Sequence, residues 1–93
     1  MNVTLFEQAL QQDGFDEVLT RELPANAVNA EHEHPFDVRA LVLDGEITLT
    51  VEGAPRAYHA GEVFTMAAGC RHVENVGPVG VRYLAGRKHA RSA

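Results

Sequence analysis

Two of the five histidines, His32 and His34, stand two residues apart just before Pro35, in a segment predicted to be a strand. Side chains of a strand alternate between its two faces, so both imidazoles should leave on the same face, about 7 Å apart along the backbone. Neutral imidazole is the commonest metal ligand among side chains, and two of them so placed can hold one divalent ion. The pair is therefore either half of a metal site or an exposed pair without a ligand.

The residues after this pair decide how the pair is interpreted. The stretch 32–46 reads HEHPFDVRALVLDGE and resembles the first conserved motif of the cupin superfamily. That motif has two histidines one residue apart and, further along, a glycine, which Gly45 matches. It also has an acidic residue a few positions after the second histidine.

A second motif lies downstream in residues 61–72, which read GEVFTMAAGCRH and resemble the second cupin motif. Gly61 opens it, Gly69 falls in register, and His72 follows three places on. Ala67 stands where a proline is usual, and Asn75 matches the family asparagine only loosely.

The resemblance covers residues 28–85 and implies both a fold and a cofactor. Cupins are all-β proteins that fold as a double-stranded β-helix, or jelly roll, and hold one metal ion inside the barrel. Carried over residue by residue, the resemblance makes His32, His34 and His72 the expected metal ligands.

The sequence departs from the family pattern at the acidic ligand. Val38 or Arg39 holds that place, depending on whether three or four residues follow the second histidine. Asp37 lies one step short and on the opposite face, so it would ligate only across a bulge. Glu74 shares a face with the histidine of the second motif, and is either a substitute ligand or a solvated surface carboxylate.

A site of three imidazoles would leave the ion its full charge. Such an ion is a strong Lewis acid and attracts small anionic, chelating molecules. Imidazole does not distinguish Fe, Zn, Ni, Mn or Cu, so the cofactor is predicted only as one divalent metal ion. Some three-histidine cupins are Fe(II)-dependent dioxygenases. The resemblance thus leaves open a metal-dependent oxidoreductase, a plain metal and ligand binder, a non-catalytic sensor module, and a cupin that keeps the metal only for stability.

Other residues near the predicted site have a structural and a functional interpretation each. Cys70 either ligates the metal or supports a ligand, or it is only a small buried residue. Arg39 either meets an anionic substrate or, as its parity indicates, points outward. Tyr83 either turns its hydroxyl into the pocket or only packs. The other predicted pocket residues are Val38, Phe64 and Met66.

The elements that must position these residues begin with a helix over residues 4–13. Thr4 is the expected N-cap, with Glu7 completing a capping box. Short strands separated by turn residues then predict a barrel over residues 18–86 and a basic tail over 87–93 that includes Arg91. Asp44-Gly45 and Gly77-Pro78 are expected to end strands. The predicted strands are 18–23, 28–34, 38–43, 46–52, 57–60, 63–66, 72–76 and 81–85.

The strand over residues 38–43 is apolar on both faces. Val38, Ala40 and Val42 point one way, and Leu41 and Leu43 the other. A strand buried on one side only would carry polar residues on its second face. We therefore expect a homodimer whose subunits pack through this region.

Composition narrows the class of protein. The 93 residues make one domain, 1–93, and carry 13 acidic against 8 basic residues, a net charge of −5, which argues against a nucleic-acid partner. One cysteine excludes an internal disulfide. No signal peptide or apolar run of membrane-spanning length is apparent, so the expected location is cytoplasmic, with no membrane partner.

Overall fold

The computed structural model describes residues 2–89 and contains one short helix and six strands. The strands form an antiparallel barrel, which confirms the predicted all-β class with an N-terminal helix. The elements are α1 (Val3–Gln12), β1 (Glu17–Leu23), β2 (Val28–His32), β3 (Phe36–Val51), β4 (Ala54–His59), β5 (Val63–Met66) and β6 (His72–His89).

Two long strands, β3 and β6, run antiparallel and each belongs to both walls of the barrel. The first half of β3 pairs with β5 and with the second half of β6, which also pairs with β1. The second half of β3 pairs with β4 and with the first half of β6, which also pairs with β2. The short strands therefore flank one central ribbon that bends in its middle.

The prediction that Asp44-Gly45 ends a strand was wrong. β3 continues through it, with register shifts on both sides of Gly45. Gly45 has φ +80° and lies so close to Gly80 that any Cβ would collide with the carbonyl oxygen of that residue. A glycine at positive φ suits a tight turn and a β-bulge equally well, and here it bends the strand instead of reversing it.

The predicted break at Gly77-Pro78 was also wrong, because β6 runs on to His89. Residues 77–80 bulge out between the paired positions Val76 and Val81. Pro78 therefore sits where no ladder hydrogen bond is required, which is where proline is tolerated in a sheet.

The ends of two other elements differ from the prediction. Asn2, not Thr4, caps the helix: its side-chain oxygen accepts a hydrogen bond from the amide of Leu5 at 3.0 Å. Arg87 and Lys88 belong to β6 and not to a tail. The rest of the predicted tail, with Arg91, lies outside the described residues.

The core fills the space between the two walls. Val38, Ala40 and Val42 point inward as their alternation predicted, and after the bulge Ile47 and Leu49 take over the inward positions. The other buried members of this core are Phe64, Met66, Val76, Val81, Tyr83 and Ala85.

The helix covers part of the outer face on which a partner subunit was expected. Leu10 is fully buried and packs onto Gly86, where an added Cβ would come within 2.6 Å of it. By register, Gly86 shares this outer face with Leu84 and Leu41, which are 7% and 4% exposed. Leu41 therefore needs no second chain to bury it, which removes one premise of the homodimer prediction.

No helix among residues 2–89 is long and apolar enough to cross a membrane.

Leu10→Ala should lower the free energy of unfolding by about 2–5 kcal/mol, because it leaves a cavity between the helix and the sheet. The matched control is Leu5→Ala on the same helix, where the side chain is 61% exposed and the loss should stay below about 0.5 kcal/mol. Urea unfolding of both variants gives the comparison. Equal losses would mean that the helix does not close the outer face.

Candidate metal centre

Three of the five histidines converge at one end of the barrel. His32 ends β2 and pairs directly with His72, the first residue of β6. His34 follows in the segment that leads into β3. The ring centroids lie 4.3 Å apart for His32 and His72, 4.8 Å for His32 and His34, and 5.3 Å for His34 and His72. The three residues carried over from the family motifs therefore come together.

Glu74 joins the histidines and is not the solvated carboxylate that was the alternative. It lies opposite Leu49 on the inner face, is 7% exposed, and accepts a 2.7 Å hydrogen bond from the side-chain Nδ2 of Asn29. One potential ligand atom from each of the three histidines and Glu74 lies within 4.8 Å of the others. The two-residue spacing from His72 was the signal that placed Glu74 on this face.

In His32 and His72, a hydrogen bond to a backbone carbonyl determines which ring nitrogen is free. Nδ1 of His32 lies 2.7 Å from the carbonyl oxygen of Ala30, and Nδ1 of His72 lies 3.0 Å from that of Cys70. A carbonyl can only accept, so each Nδ1 carries a proton and donates. In the neutral rings Nε2 then presents its lone pair to the interior, the arrangement typical of ligating histidines.

These lone pairs face a carboxylate. Oε2 of Glu74 lies 3.2 Å from Nε2 of His72 and 3.8 Å from Nε2 of His32. Two acceptors at such distances repel each other unless a proton, on the imidazole or on the carboxyl group, or a metal ion lies between them. His72 is only 1% exposed, so water does little to screen the repulsion.

The spacing fits a metal ion. With bonds of 2.0–2.1 Å, neighbouring ligand atoms on a tetrahedral ion are about 3.3 Å apart, close to the His72–Glu74 distance of 3.2 Å. The 4.8 Å limit on the whole set is wider, so a bound ion would draw some of the ligand atoms inward. Three imidazoles and one carboxylate are a donor set that Zn, Fe, Ni and Cu accept.

The electrostatics of His34 favour its ligating form. Burial lowers the pKa of His34 below its ordinary 6.5, and the neighbouring positive charges of His32 and His72 lower it further, while Glu74 opposes them. A lowered pKa keeps the imidazole neutral, as a metal ligand must be.

Two other candidates, Asp37 and Cys70, lie outside the cluster. The carboxylate of Asp37 accepts a hydrogen bond from the amide of Ala68 at 2.8 Å and so fixes the turn after β5. Cys70 is half-buried against the core, and its backbone carbonyl, not its thiol, supports His72.

Arg39 points outward, as its parity indicated. Its guanidinium pairs with Asp13 at 2.6 Å and lies 4.7 Å above the ring of Phe15. It therefore ties the end of the helix to the barrel, away from the histidines.

Beneath the histidines the barrel contains a small cavity bordered by all four predicted pocket residues, Val38, Phe64, Met66 and Tyr83. Its free volume is about 20 Å³, room for a single water-sized group. On the other side of the cluster, an open pocket of about 410 Å³ is bordered by His32, His34 and Glu74. This pocket, called the mouth below, is large enough to admit a small molecule to the histidines and Glu74.

Sequence reasoning missed three residues around the site, Asn29, Arg21 and Arg87. Arg21 lies opposite Tyr83, and Arg87 opposite Val38, so both arginines are on the inner face. Arg21 borders both the cavity and the mouth. Arg21 stands two residues from both Leu19 and Leu23 in β1 and so shares their inner face. This spacing is the signal in the sequence that would have found it.

Comparison with known proteins agrees with this fold. The sequence model of the cupin domain family matches residues 19–85. The chain therefore belongs to the cupin family. A search of the curated proteins found no match.

Solved structures with the same fold share little sequence with this chain. A protein of unknown function from Rhizobium leguminosarum bv. viciae 3841 is 14% identical, with a TM-score of 0.74 over 78% of this chain and 69% of that one. The cupin domain of an XRE family transcriptional regulator from Enterobacter cloacae is 17% identical, with a TM-score of 0.69 over 86% and 87%. A cupin 2 conserved barrel domain protein from Salinispora arenicola is 25% identical, with a TM-score of 0.67 over 78% and 62%.

The lowered pKa of His34 predicts an acid-sensitive fold for the metal-free protein. Below pH 6.5 this histidine is protonated in the unfolded chain but still neutral in the folded chain. The free energy of unfolding therefore falls as the pH falls through 6.5 towards the pKa of the folded state. The free energy of unfolding in the presence of a chelator should thus fall between about pH 7.5 and pH 5.5. The fall should be shallower in His34→Gln.

The control for this measurement is His59→Gln, whose side chain is 62% exposed on β4. It should retain the wild-type pH dependence. A wild-type slope in His34→Gln would show that burial of His34 does not set the acid sensitivity.

Proposed function

We propose that this cupin binds one divalent metal ion through His32, His34 and His72, and uses the ion to hold a small anionic molecule. The observation that carries the proposal is the convergence of the ring nitrogens on Oε2 of Glu74, with Nδ1 of two rings fixed by carbonyls.

Glu74 serves as the fourth ligand in this proposal, in place of the acidic residue that the first motif lacks. Its hydrogen bond from Asn29 occupies Oε1 and leaves Oε2 directed at the histidines. One carboxylate against a divalent ion leaves a net positive centre, and the open mouth gives an anion access to it.

Metal binding is tested with His32→Ala, Glu74→Gln and the control His59→Ala. The wild-type protein, purified without a histidine tag, should bind one ion per chain. Loss of a direct ligand should lower the affinity more than the 10–100-fold typical of outer-shell partners. We expect this larger loss for both His32→Ala and Glu74→Gln, measured by competition with a coloured chelator.

His59→Ala should bind metal like the wild type, because His59 lies outside the cluster. Circular dichroism of each variant separates a lost ligand from a lost fold. Wild-type affinity in His32→Ala would contradict the proposed centre. A loss within the outer-shell range in Glu74→Gln would leave three histidine ligands and make the carboxylate their support.

A second candidate function is an Fe(II)-dependent dioxygenase. Three imidazole donors beside an open pocket favour it, since Fe(II) in such a site brings O₂ and a chelating substrate together when bound. Protein loaded with Fe(II) in the absence of oxygen is then mixed with a β-diketone or a small thiol carboxylic acid. Oxygen uptake that depends on both iron and substrate, and is lost in His32→Ala, is the expected result for an enzyme.

No uptake with a tightly bound ligand would favour a non-catalytic binding or sensor module. The fold itself does not distinguish an enzyme from a binding module, since one of the similar structures is the cupin domain of a transcriptional regulator.

A homodimer also stays a prediction, based on half-buried Leu43 and on Val63, which is 43% exposed on the outer face. The cytoplasmic location likewise stays a prediction.

A further inference from the structure

The strand β2 contains one extra residue just before the histidine that ends it. In the ladder between β2 and β6, Asn29 pairs with Glu74. Three residues further along β2, His32 pairs with His72, which lies only two residues from Glu74. Residues 30 and 31 therefore share one position opposite β6, which is a β-bulge. In a regular strand residues three apart face opposite sides, so the bulge is what turns Asn29 and His32 to the same side.

This bulge is anchored by both of its residues. The carbonyl oxygen of Ala30 accepts the hydrogen bond from Nδ1 of His32 at 2.7 Å. The carboxylate of Glu31 pairs with Arg71 at 3.0 Å on the exposed surface. The backbone segment that follows Asn29 is thus held at two points, and it fixes Asn29 relative to His32.

Asn29 acts on one of the two oxygens of the Glu74 carboxylate. Its side-chain Nδ2 donates a hydrogen bond to Oε1 at 2.7 Å. The other oxygen, Oε2, lies 3.2 Å from Nε2 of His72. An ionised carboxylate only accepts hydrogen bonds, so the NH₂ group of the Asn29 amide must be the end that faces it. The two carboxylate oxygens therefore have separate partners, the amide for one and the histidines for the other.

This separation matters because a carboxylate binds a metal ion either through one oxygen or through both. Binding through both would require Oε1 to leave the amide of Asn29, which would break a hydrogen bond to a charged acceptor. It would also fill a second position around the ion. The hydrogen bond from Asn29 thus favours the one-oxygen form and leaves that second position to another ligand.

We propose that Asn29 is a positioning residue, which restricts Glu74 to one oxygen on the metal and so keeps a coordination position available to the small molecule. Asn29 also borders the mouth, together with His32, His34 and Glu74. This inference rests on the proposed metal centre with Glu74 as its fourth ligand. It adds what limits the number of positions around the ion that the protein itself fills.

The test uses Co(II)-loaded protein, with azide as the probe for an available position. Azide is a small anion that binds a metal ion through one nitrogen. Four-coordinate Co(II) absorbs visible light much more strongly than five- or six-coordinate Co(II). The band intensity therefore reports how many ligands the ion has, and a titration of this spectrum gives the affinity for azide.

Asn29→Ala removes the donor, so Glu74 should bind through both oxygens and the visible bands should weaken. At full cobalt loading the dissociation constant of azide should rise about tenfold, the lower end of the range that loss of an outer-shell partner causes. Asn29→Val, which also lacks the donor but favours a strand, should behave alike. The matched control is Asn75→Ala, next to Glu74 in β6 but exposed. It should keep the wild-type spectrum and azide affinity.

A double variant separates this role from a merely structural one. In Glu74→Gln no carboxylate remains that could bind through two oxygens. Addition of Asn29→Ala to this variant should therefore change neither the band intensity nor the azide affinity at full cobalt loading. An equal change with and without the carboxylate would overturn the inference, because Asn29 would then act on the site by another route.

The remaining outcomes distinguish the inference from the proposed metal centre. Wild-type protein that binds no cobalt overturns both. Cobalt that binds with the same spectrum and affinity in Glu74→Gln overturns the inference and leaves a centre of three histidines. Cobalt that accepts no azide in the wild type also overturns the inference, because the ion then has no available position. A wild-type spectrum and azide affinity in Asn29→Ala overturn the inference alone.

Discussion

The antiparallel pairing of β3 with β6 is the interaction on which the rest of the structure depends. The two strands stay paired from residues 36–50 of one to residues 73–89 of the other, with a bulge in each. Every other strand forms its ladder hydrogen bonds with one of these two. The pairing also sets which side chains face inward, so the same register that builds the core turns His72 and Glu74 towards the interior.

The proposed metal centre is the least self-sufficient part of this interior. Two imidazole nitrogens here face one carboxylate oxygen, at 3.2 Å and 3.8 Å. A cluster that needs an added cation costs stability when empty and recovers it when loaded. A small domain gains proportionally more from such a ligand, because its core buries little surface.

Access to the centre follows from which sides of the barrel are closed. The core residues leave almost no free space below the histidines, and α1 closes the outer face at the far wall. The mouth beside β1 and β2 is open, and Arg21 and Asn29 lie there. The histidine cluster and a positively charged side chain, Arg21, thus border one opening.

Much of this protein was determined by its sequence alone. The short strands and the inward alternation of Val38, Ala40 and Val42 follow from strand periodicity, which is a local pattern. The jelly-roll fold and the three histidines follow from the resemblance of two segments to the cupin motifs. The bulge at Gly45 was misjudged because a positive φ serves a turn and a bulge alike. Glu74 remained ambiguous, since its face was known but its depth was not.

The tertiary structure decided what depends on contacts between distant residues. That Leu10 of the helix packs onto Gly86, that Asn29 holds Glu74, and that Arg21 lies across from Tyr83 are consequences of register and packing. Residues far apart in sequence meet only after the long ribbon of β3 and β6 has folded over, and no local pattern encodes which of them will share the space inside.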